Sequence, residues 1–434
     1  MENIRLQNFR CYEDQLFTFK RGVNLLIGDN ASGKTSVLRA CKYILSAFFS
    51  GFSDENTKWI NPNTQDFRQV CTNGIIAPEL PIQISFDIET ENSHFSSNVL
   101  AKNSKKNSRA LIAEIREYKE YSSTLKKEYF SESGQTKPLP LFASFLTEDI
   151  HANRKIDAGK FKHYEQKPSF GYYECLGGDG FFPYWINRLL ILQEGRENHD
   201  EITIVRNAIQ SALGISGCQI VQDLQIRPIQ KKIYFILMDG REIESDFLSD
   251  GYRRLINIIT DIAFRCALLN RGIYGTDACR ETSGTVLIDE IDLHLHPSLQ
   301  STVLTGLRKT FPHIQFIITP HAPMIMSGIE NNEENIIYKL SFSREAGYNV
   351  ISSINTYGMN VSSITENVLG QTPRDQNVDD KLTELFSLID NEKNNEARTL
   401  LATLQKDLGD NLPELSEAEA MLNCIISDND EENH

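Results

Sequence analysis

The chain has 434 residues, of which 40% are hydrophobic and 24% are charged, and its formal net charge is −15. This length allows two or three ordinary domains, or one large domain with insertions, and the composition is typical of a globular protein. There is no apolar run of roughly 18 residues, which excludes a membrane span, and the N-terminus lacks the apolar core of a signal peptide. We therefore expect a cytoplasmic protein. The negative charge argues against a surface that coats nucleic acid everywhere.

The first predicted elements lead to a glycine-rich loop. Residues 4–9 and 16–19 predict a hairpin beside a buried strand at 23–27. Gly28 then opens the run G-D-N-A-S-G-K-T, and a helix is predicted at 35–49. This spacing is that of a phosphate-binding loop, in which glycines let N–H groups approach phosphate oxygens and the helix N-terminus adds its dipole. An ordinary glycine turn is the weaker alternative, because the required strand and helix flank the loop.

The loop residues have expected roles in binding ATP and Mg²⁺. We expect Lys34 to reach the β- and γ-phosphates and the Thr35 hydroxyl to bind Mg²⁺. The full set of expected nucleotide-binding residues in this loop is Asn30, Ser32, Gly33, Lys34, Thr35 and Ser36.

The next segment interrupts the strand pattern. Residues 82–88 alternate between apolar and polar, which predicts a half-buried strand. Residues 93–200 are interpreted as an inserted helical and aromatic arm, with a helix at about 110–128 and an aromatic stretch at 171–185. Between residues 102 and 137, nine Lys or Arg residues stand against five Glu. A contact with phosphates or with a partner would explain this excess, and so would a solvated helix face.

Alternating strands and helices return after residue 200 and predict a mostly parallel sheet. A buried strand at 286–288 is followed by Asp289 and Glu290, and a strand at 315–319 is followed by Pro320 and His321. We expect Asp289 to hold Mg²⁺ through water and Glu290 to act as the general base. His321 is the expected sensor of the γ-phosphate. A solvated turn and a core histidine are the alternatives for these positions.

A second anion site is predicted at the start of a long helix. The sequence L-S-D-G-Y-R places Ser249 and the Gly251 backbone at a helix N-terminus. One chain would thus carry two phosphate-binding helix ends, and we expect the second to bind the γ-phosphate held by another copy. His294 and His296 lack a third ligand at a suitable spacing, so a loop at the dimer interface is expected there rather than a metal site.

The C-terminal region, residues 357–434, is predicted to be a helical extension with an acidic tail. Two apolar stripes, at 378–389 and 397–408, predict consecutive amphipathic helices. Two interpretations of these stripes remain open: they pack on the ATPase core, or one stripe or its acidic rim docks a partner.

The ordered motifs resemble a known group of proteins. The runs G-D-N-A-S-G-K-T, L-S-D-G-Y-R, L-I-D-E-I-D-L-H-L-H-P and F-I-I-T-P-H-A-P are similar to those of ABC-type ATPase heads of the SMC, RecF and OLD group. The opening I-R-L-Q-N-F-R-C-Y matches the start of such heads, and the resemblance implies that Arg10 reaches the nucleotide. The C-terminal helices and the stretch near Tyr172 resemble the PtuA ATPases of Septu antiphage systems, some of which accompany retrons.

The resemblance implies an architecture and a set of partners. The fold would be an α/β P-loop ATPase head with a mixed sheet, whose lobe combines residues 1–92 and 201–356. The chain would assemble with a second copy or with a higher even number of copies. Its other partners would be an HNH nuclease subunit of PtuB kind and nucleic acid. If a retron is present, the reverse transcriptase with its RNA and DNA would be a further partner. Three positions depart from the usual motifs of this group: Ala31 stands where glycine is usual, Thr35 where serine is usual, and Pro320 separates Thr319 from His321. These departures remove no ligand, but we expect slow hydrolysis. The glutamine that contacts Mg²⁺ in this group has no clear equivalent, and Gln83 and Gln193 are the candidates.

Three other functions are alternatives for this sequence. A RecF-like or SMC-like repair ATPase would need no nuclease, and neighbouring genes would distinguish it. An OLD-type nuclease would need a metal-dependent nuclease domain after the ATPase, whereas the region after His321 is predicted to be mostly helical, with no carboxylate cluster at the end of a strand. The opening strands and the long insertion fit a transporter subunit least well.

Overall fold

The computed structural model describes residues 1–53, 59–72, 74–90, 93–103, 111–131, 136–147, 168–178, 180–194, 199–330, 332–343, 347–372, 374–409 and 412–431. The chain divides into two compact units, Met1–Ile364 and Thr365–His434. In the part of the chain that the structure describes, no helix combines the length and the apolar character needed to cross a membrane.

The strands are listed here in chain order. They are β1 (Asn3–Phe9), β2 (Tyr12–Thr18), β3 (Val23–Gly28), β4 (Gln69–Thr72), β5 (Ile75–Pro78), β6 (Ile82–Glu89), β7 (His94–Lys102), β8 (Leu111–Glu114), β9 (Leu141–Phe145), β10 (Val221–Arg227), β11 (Lys232–Leu237), β12 (Glu242–Glu244), β13 (Gly284–Ile288), β14 (Ile314–Ile318), β15 (Ile336–Ser343) and β16 (Gly347–Ile351).

The α-helices follow the same order. They are α1 (Lys34–Ala47), α2 (Arg116–Tyr129), α3 (Phe182–Glu194), α4 (His199–Leu213), α5 (Asp250–Tyr274), α6 (Ala278–Glu281), α7 (Pro297–Gln300), α8 (Val303–Thr310), α9 (Pro323–Ser327), α10 (Val361–Ser363), α11 (Gln376–Asp390), α12 (Asn394–Leu408) and α13 (Pro413–Glu431).

The central sheet has the order β16-β15-β3-β14-β13-β9. Strands β15, β3, β14, β13 and β9 run parallel, and β16 pairs antiparallel with β15 at one edge. The inner strands β3 and β14 are buried along nearly their whole length and are mostly apolar, as expected for parallel strands covered on both faces. The expected α/β P-loop ATPase fold with a mixed sheet is confirmed, and the ends of β3, β13 and β14 meet at one edge.

A second, antiparallel sheet has the order β2-β1-β6-β7-β8. The hairpin of β1 and β2 belongs to this sheet, whereas it was expected to lie beside the strand that leads into the phosphate-binding loop. Its partner is β6, with Ile4 opposite Phe86 and Leu6 opposite Ile84. Strand β6 has the expected alternation, with its four apolar residues on the buried face.

The segment expected as an inserted arm is part of both sheets. Strands β7 and β8 extend the second sheet, and β9 forms an edge of the central one. The helix predicted from residue 110 begins at Arg116, because Leu111–Glu114 pair with β7. Helix α2 buries Tyr118 and Leu125 in the core. Lys105 and Lys106 lie outside the described residues.

The aromatic stretch near Tyr172 is interior packing. The ring of Tyr172 is buried among Phe48, Phe49, Phe52 and Phe142, and its hydroxyl donates a hydrogen bond to the Pro140 carbonyl. The indole Nε1 of Trp185 likewise donates to Asp261 Oδ1 at 2.7 Å. These rings are therefore not available to stack on bases.

The C-terminal unit contains its own small core. Helices α11, α12 and α13 pack together through apolar residues from all three helices, namely Leu382, Leu385, Ile389, Ala397, Leu401, Leu404, Leu415, Ala418 and Leu422. Most residues of both predicted stripes thus pack within the unit, whereas Leu408, at the end of the second stripe, is 37% exposed. Acidic residues of the described part of this unit, such as Asp380, Glu384 and Asp390, are exposed. Residues 365–434 contain 17 acidic and 5 basic residues, so this unit carries a net charge of −12 out of −15 for the chain.

Candidate active site

The phosphate-binding loop joins β3 to α1 in a conformation that depends on its glycines. Gly28 has a φ of 139° and Gly33 a φ of 102°, in the region that L side chains rarely adopt. A Cβ on Gly28 would lie 1.9 Å from the Leu340 carbonyl oxygen, and one on Gly33 would lie 2.5 Å from the Tyr12 hydroxyl. Both positions therefore require glycine for close approach as well as for φ.

Lys34 begins α1 and is folded back over the loop. Its Nζ donates hydrogen bonds to the carbonyl oxygens of Gly28 at 2.6 Å and Asp29 at 2.8 Å. Burial lowers the pKa of Lys34, and the nearby carboxylates of Asp289 and Asp29 oppose that shift. The ammonium group thus lies at the centre of the loop, where an anion would replace the two carbonyl oxygens as its partner.

Asp289 follows β13 and is surrounded by hydroxyl groups. Its side chain is buried, and Thr319 Oγ1 donates to its Oδ1 while Thr147 Oγ1 donates to its Oδ2 at 3.0 Å. Thr35 Oγ1, from the phosphate-binding loop, lies 3.4 Å from the same Oδ2. The two residues predicted to share a metal ion, Thr35 and Asp289, are therefore adjacent although 254 positions separate them.

Glu290 and His321 lie next to each other at the ends of neighbouring strands. Glu290 Oε1 is 3.6 Å from His321 Nε2, and both side chains are partly exposed. Glu290 has a φ of 50°, and its N–H donates to Thr319 Oγ1 at 2.8 Å. The N–H of His321 donates to both oxygens of Asp292, at 3.0 and 3.1 Å. Thr319 and Asp292 thus hold the two predicted catalytic turns together.

One cavity of about 980 Å³ brings most of the predicted site together. The predicted residues that line it are Arg10, Asn30, Ser32, Gly33, Lys34, Thr35, Ser36, Asp289, Glu290 and His321. Two of these residues have a buried polar atom with no hydrogen-bond partner among the described residues, Arg10 Nη1 and Ser32 Oγ. Buried donors without partners are uncommon in native proteins, so a bound anion is the natural partner for them.

The cavity suits Mg²⁺ better than a metal held by protein ligands alone. The described residues contain no cluster of three His, Cys, Asp or Glu side chains that could hold an ion. A threonine hydroxyl and one carboxylate beside a phosphate-binding loop match the way Mg²⁺ is held, with few protein ligands plus phosphate oxygens and water.

Ser249 and Gly251 do not line this cavity. Ser249 is exposed as the N-cap of α5, and Phe247 beside it is 76% exposed. Gly251 is buried against the loop after Asp289, where a Cβ would lie 2.3 Å from the His294 carbonyl oxygen. The Nδ1 of His296 lies 2.9 Å from Ser298 Oγ and accepts from Ser298 N–H, which caps α7.

Sequence reasoning missed several residues that order the site. Thr147, Thr319, Asp292 and Arg254 contact the turns that carry Asp289, Glu290 and His321. Thr319 and Asp292 lie within the motif runs, but no role was predicted from the sequence for any of the four residues. A threonine directly after a buried strand was a usable signal for Thr319. Gln83 and Gln193 do not line the cavity, and Thr147, next to β9, approaches Asp289 instead.

Comparison with known proteins identifies the relatives of the chain. The family model described as "AAA domain, putative AbiEii toxin, Type IV TA system" matches residues 23–327. The Retron Vc95 probable ATPase of Vibrio cholerae serotype O1 biovar El Tor is 26% identical over 83% of the chain and 77% of its own length. The Septu protein PtuA of Bacillus thuringiensis is 22% identical over 90% of the chain and 89% of its own length. The expected resemblance to PtuA and retron ATPases is confirmed.

Other matches are partial or remote. Two further curated relatives are longer, and the chain spans less than half of each. Among solved structures, the SMC head domain from Thermotoga maritima is 12% identical, with a TM-score of 0.43. The aligned region covers 81% of this chain and 97% of the SMC head domain.

Proposed function

Because the chain belongs to the family described as "AAA domain, putative AbiEii toxin, Type IV TA system", we propose that it binds and hydrolyses ATP as one subunit of an ATP-bridged dimer. In this proposal the ATPase controls a partner nuclease of HNH kind in antiphage defence. The observation that supports it best is the 3.4 Å approach of Thr35 to Asp289, in the cavity that also contains Lys34, Glu290 and His321. Its relatives named as probable retron ATPase and PtuA agree with this function.

Each residue at the site would have a defined part in hydrolysis. Lys34 would exchange its two carbonyl partners for phosphate oxygens, and Arg10 Nη1 and Ser32 Oγ would gain the partners they lack. Thr35 and Asp289 would hold Mg²⁺, which offsets the charge of the phosphates. Glu290 would orient and deprotonate the attacking water, and His321, 3.6 Å away, would contact the terminal phosphate.

The position of Ser249 supports a second copy as the source of the remaining contacts. The N-terminus of a 25-residue helix favours an anion, yet Ser249 lies outside the cavity of its own chain. Two chains arranged with each Ser249 facing the other's γ-phosphate would complete both sites. Such a dimer, or a higher even oligomer, would form only around nucleotide.

The charge distribution supports separate surfaces for other partners. The C-terminal unit, with a net charge of −12, suits a basic protein surface such as that of a nuclease subunit. Lys119 and Lys127 are exposed on α2 of the other unit and suit nucleic acid phosphates. A retron reverse transcriptase with its RNA and DNA is a further partner in this proposal.

Binding of ATP provides the test of the nucleotide site. Lys34→Ala should abolish Mg-ATP binding in a calorimetric titration, because the loop then lacks its only ammonium group. Lys20→Ala is the control, since that side chain lies outside the cavity. Undiminished ATP binding by Lys34→Ala would refute the assignment.

A further inference from the structure

The aromatic pair Phe342 and Tyr348 is not used by any role assigned so far. Phe342 is 56% exposed and Tyr348 is 37% exposed, yet both line the cavity of the phosphate-binding loop. They stand directly opposite each other on β15 and β16, with ring centroids 4.8 Å apart. Tyr348 also lies 6.1 Å from the ring of Tyr12. Large apolar rings half open to a polar cavity are candidates for a ligand contact.

The order of the strands places this pair on the side where a nucleobase would lie. Strand β3 leads into the phosphate-binding loop and has β14 and β13 on one side and β15 and β16 on the other. Asp289, Glu290 and His321 follow β13 and β14. In the proposed ATP site the metal ion and the terminal phosphate would lie on that side, and the α-phosphate, ribose and base would extend toward β15 and β16. Leu340 pairs with Gly28, which brings the end of β15 beside the start of the loop.

Resting on the proposed ATP site, we propose that Phe342 and Tyr348 form a stacking surface for a purine base. Aromatic rings stack on the π-face of a base, and the two fused rings of a purine offer more area than a pyrimidine does. Tyr12 supports Tyr348 from the hairpin of β1 and β2. The carboxamides of Gln15, Gln65 and Gln69 line the same cavity and supply donors and acceptors for the edge of the base. The ligand is therefore a purine nucleoside triphosphate, bound through its base as well as its phosphates.

The test separates the base from the phosphates. Affinities for ATP, CTP and inorganic tripolyphosphate, each with Mg²⁺, are measured by calorimetry for the wild type, Tyr348→Ala and Phe342→Ala. Loss of a stacking ring should lower the affinity for ATP about tenfold or more, shrink the preference for ATP over CTP and leave tripolyphosphate binding unchanged. Tyr348→Phe and Phe342→Tyr keep a ring and should retain the preference for ATP.

The outcomes distinguish this proposal from the proposed function. An unchanged ratio of ATP affinity to CTP affinity in both alanine variants would overturn the proposed base site. A loss of tripolyphosphate affinity equal to the loss of ATP affinity would also overturn it. A weaker ATP-dependent dimer with an unchanged ratio would assign the rings to contact with a second copy, which also overturns it. The proposed phosphate site is tested by a different variant: if it is wrong, Lys34→Ala will still bind ATP.

Discussion

Arg254 Nη2 donates a hydrogen bond to the main-chain carbonyl oxygen of Asp289 at 2.6 Å. The Nη1 of the same guanidinium donates to the carbonyl oxygen of Glu290, also at 2.6 Å. Arg254 lies in the first turns of α5, the helix whose N-cap is Ser249. The turn that carries the proposed metal ligand and general base is therefore tied to the helix proposed to face a second copy.

Removing this link should impair both folding and hydrolysis. Arg254→Met leaves two carbonyl groups without their charged partner, and we expect the free energy of unfolding to fall by about 2–4 kcal/mol. ATP hydrolysis should fall more than ATP affinity, because the turn at Glu290 loses its position while the phosphate-binding loop is untouched. Denaturant titration and steady-state hydrolysis measure the two effects.

Arg253→Met is the matched control for that variant. The neighbouring Arg253 donates to the Asp246 carbonyl and not to the catalytic turn. If Arg254→Met hydrolysed ATP at the wild-type rate, the link would have no bearing on catalysis.

The sequence was most informative where local spacing determines the structure. Gly28, Gly33 and Lys34 are fixed by the short loop between a strand and a helix. Asp289 and His321 were predictable because each lies within three residues of the end of a mostly apolar strand, and the ends of parallel strands meet at one edge of a sheet. The cavity brings these positions together as that argument requires.

Contacts between residues that lie far apart in the chain could not be predicted from one sequence. Residues 111–114 follow a Lys- and Ser-rich segment and precede a helical pattern, yet β8 forms because β7 offers an open edge for pairing. Thr147 lies 142 positions from Asp289, and Arg254 lies 35 positions from the carbonyl it binds. No periodicity connects such residues, since the contact depends on which strands become neighbours.

The basic residues between positions 102 and 137 give a second prediction, which the structure restricts to exposed lysines of α2. Lys102, Lys126 and Lys137 have partners within the chain, whereas Lys119 and Lys127 are exposed. Replacing both exposed lysines by Glu should weaken nucleic acid binding and reduce its salt dependence, because fewer counterions are then released. Titration of a labelled duplex at several salt concentrations measures both quantities.

A charge-matched control separates a local contact from the effect of net charge. Lys231→Glu with Lys309→Glu changes the total charge equally at exposed positions on other elements. Equal loss of binding in the two double variants would contradict a specific role for α2.

The acidic C-terminal unit gives a third prediction. A chain that ends at Ile364 should still bind ATP, because residues 365–434 have their own core and the nucleotide cavity lies within the first unit. It should no longer co-purify with the nuclease subunit. Loss of ATP binding would show that the unit stabilises the head instead.

A charge reversal tests the same surface without a deletion. Asp380, Glu384 and Asp390 are exposed on α11, so replacing them with Lys should leave the small core intact. The variant should lose the basic partner and keep ATP hydrolysis. If the partner still co-purified, it would dock on another surface.

The central claim is that Glu290 acts as the base in a dimer closed around ATP, and Glu290→Gln tests it most directly. The carboxamide keeps the size of the side chain but cannot accept the proton, so hydrolysis should fall by roughly 10²-fold or more while ATP affinity is retained. The unhydrolysed nucleotide should hold two chains together. Light scattering of Glu290→Gln with Mg-ATP should therefore show twice the mass found without nucleotide. Wild-type turnover, or an unchanged mass with ATP bound, would contradict the account.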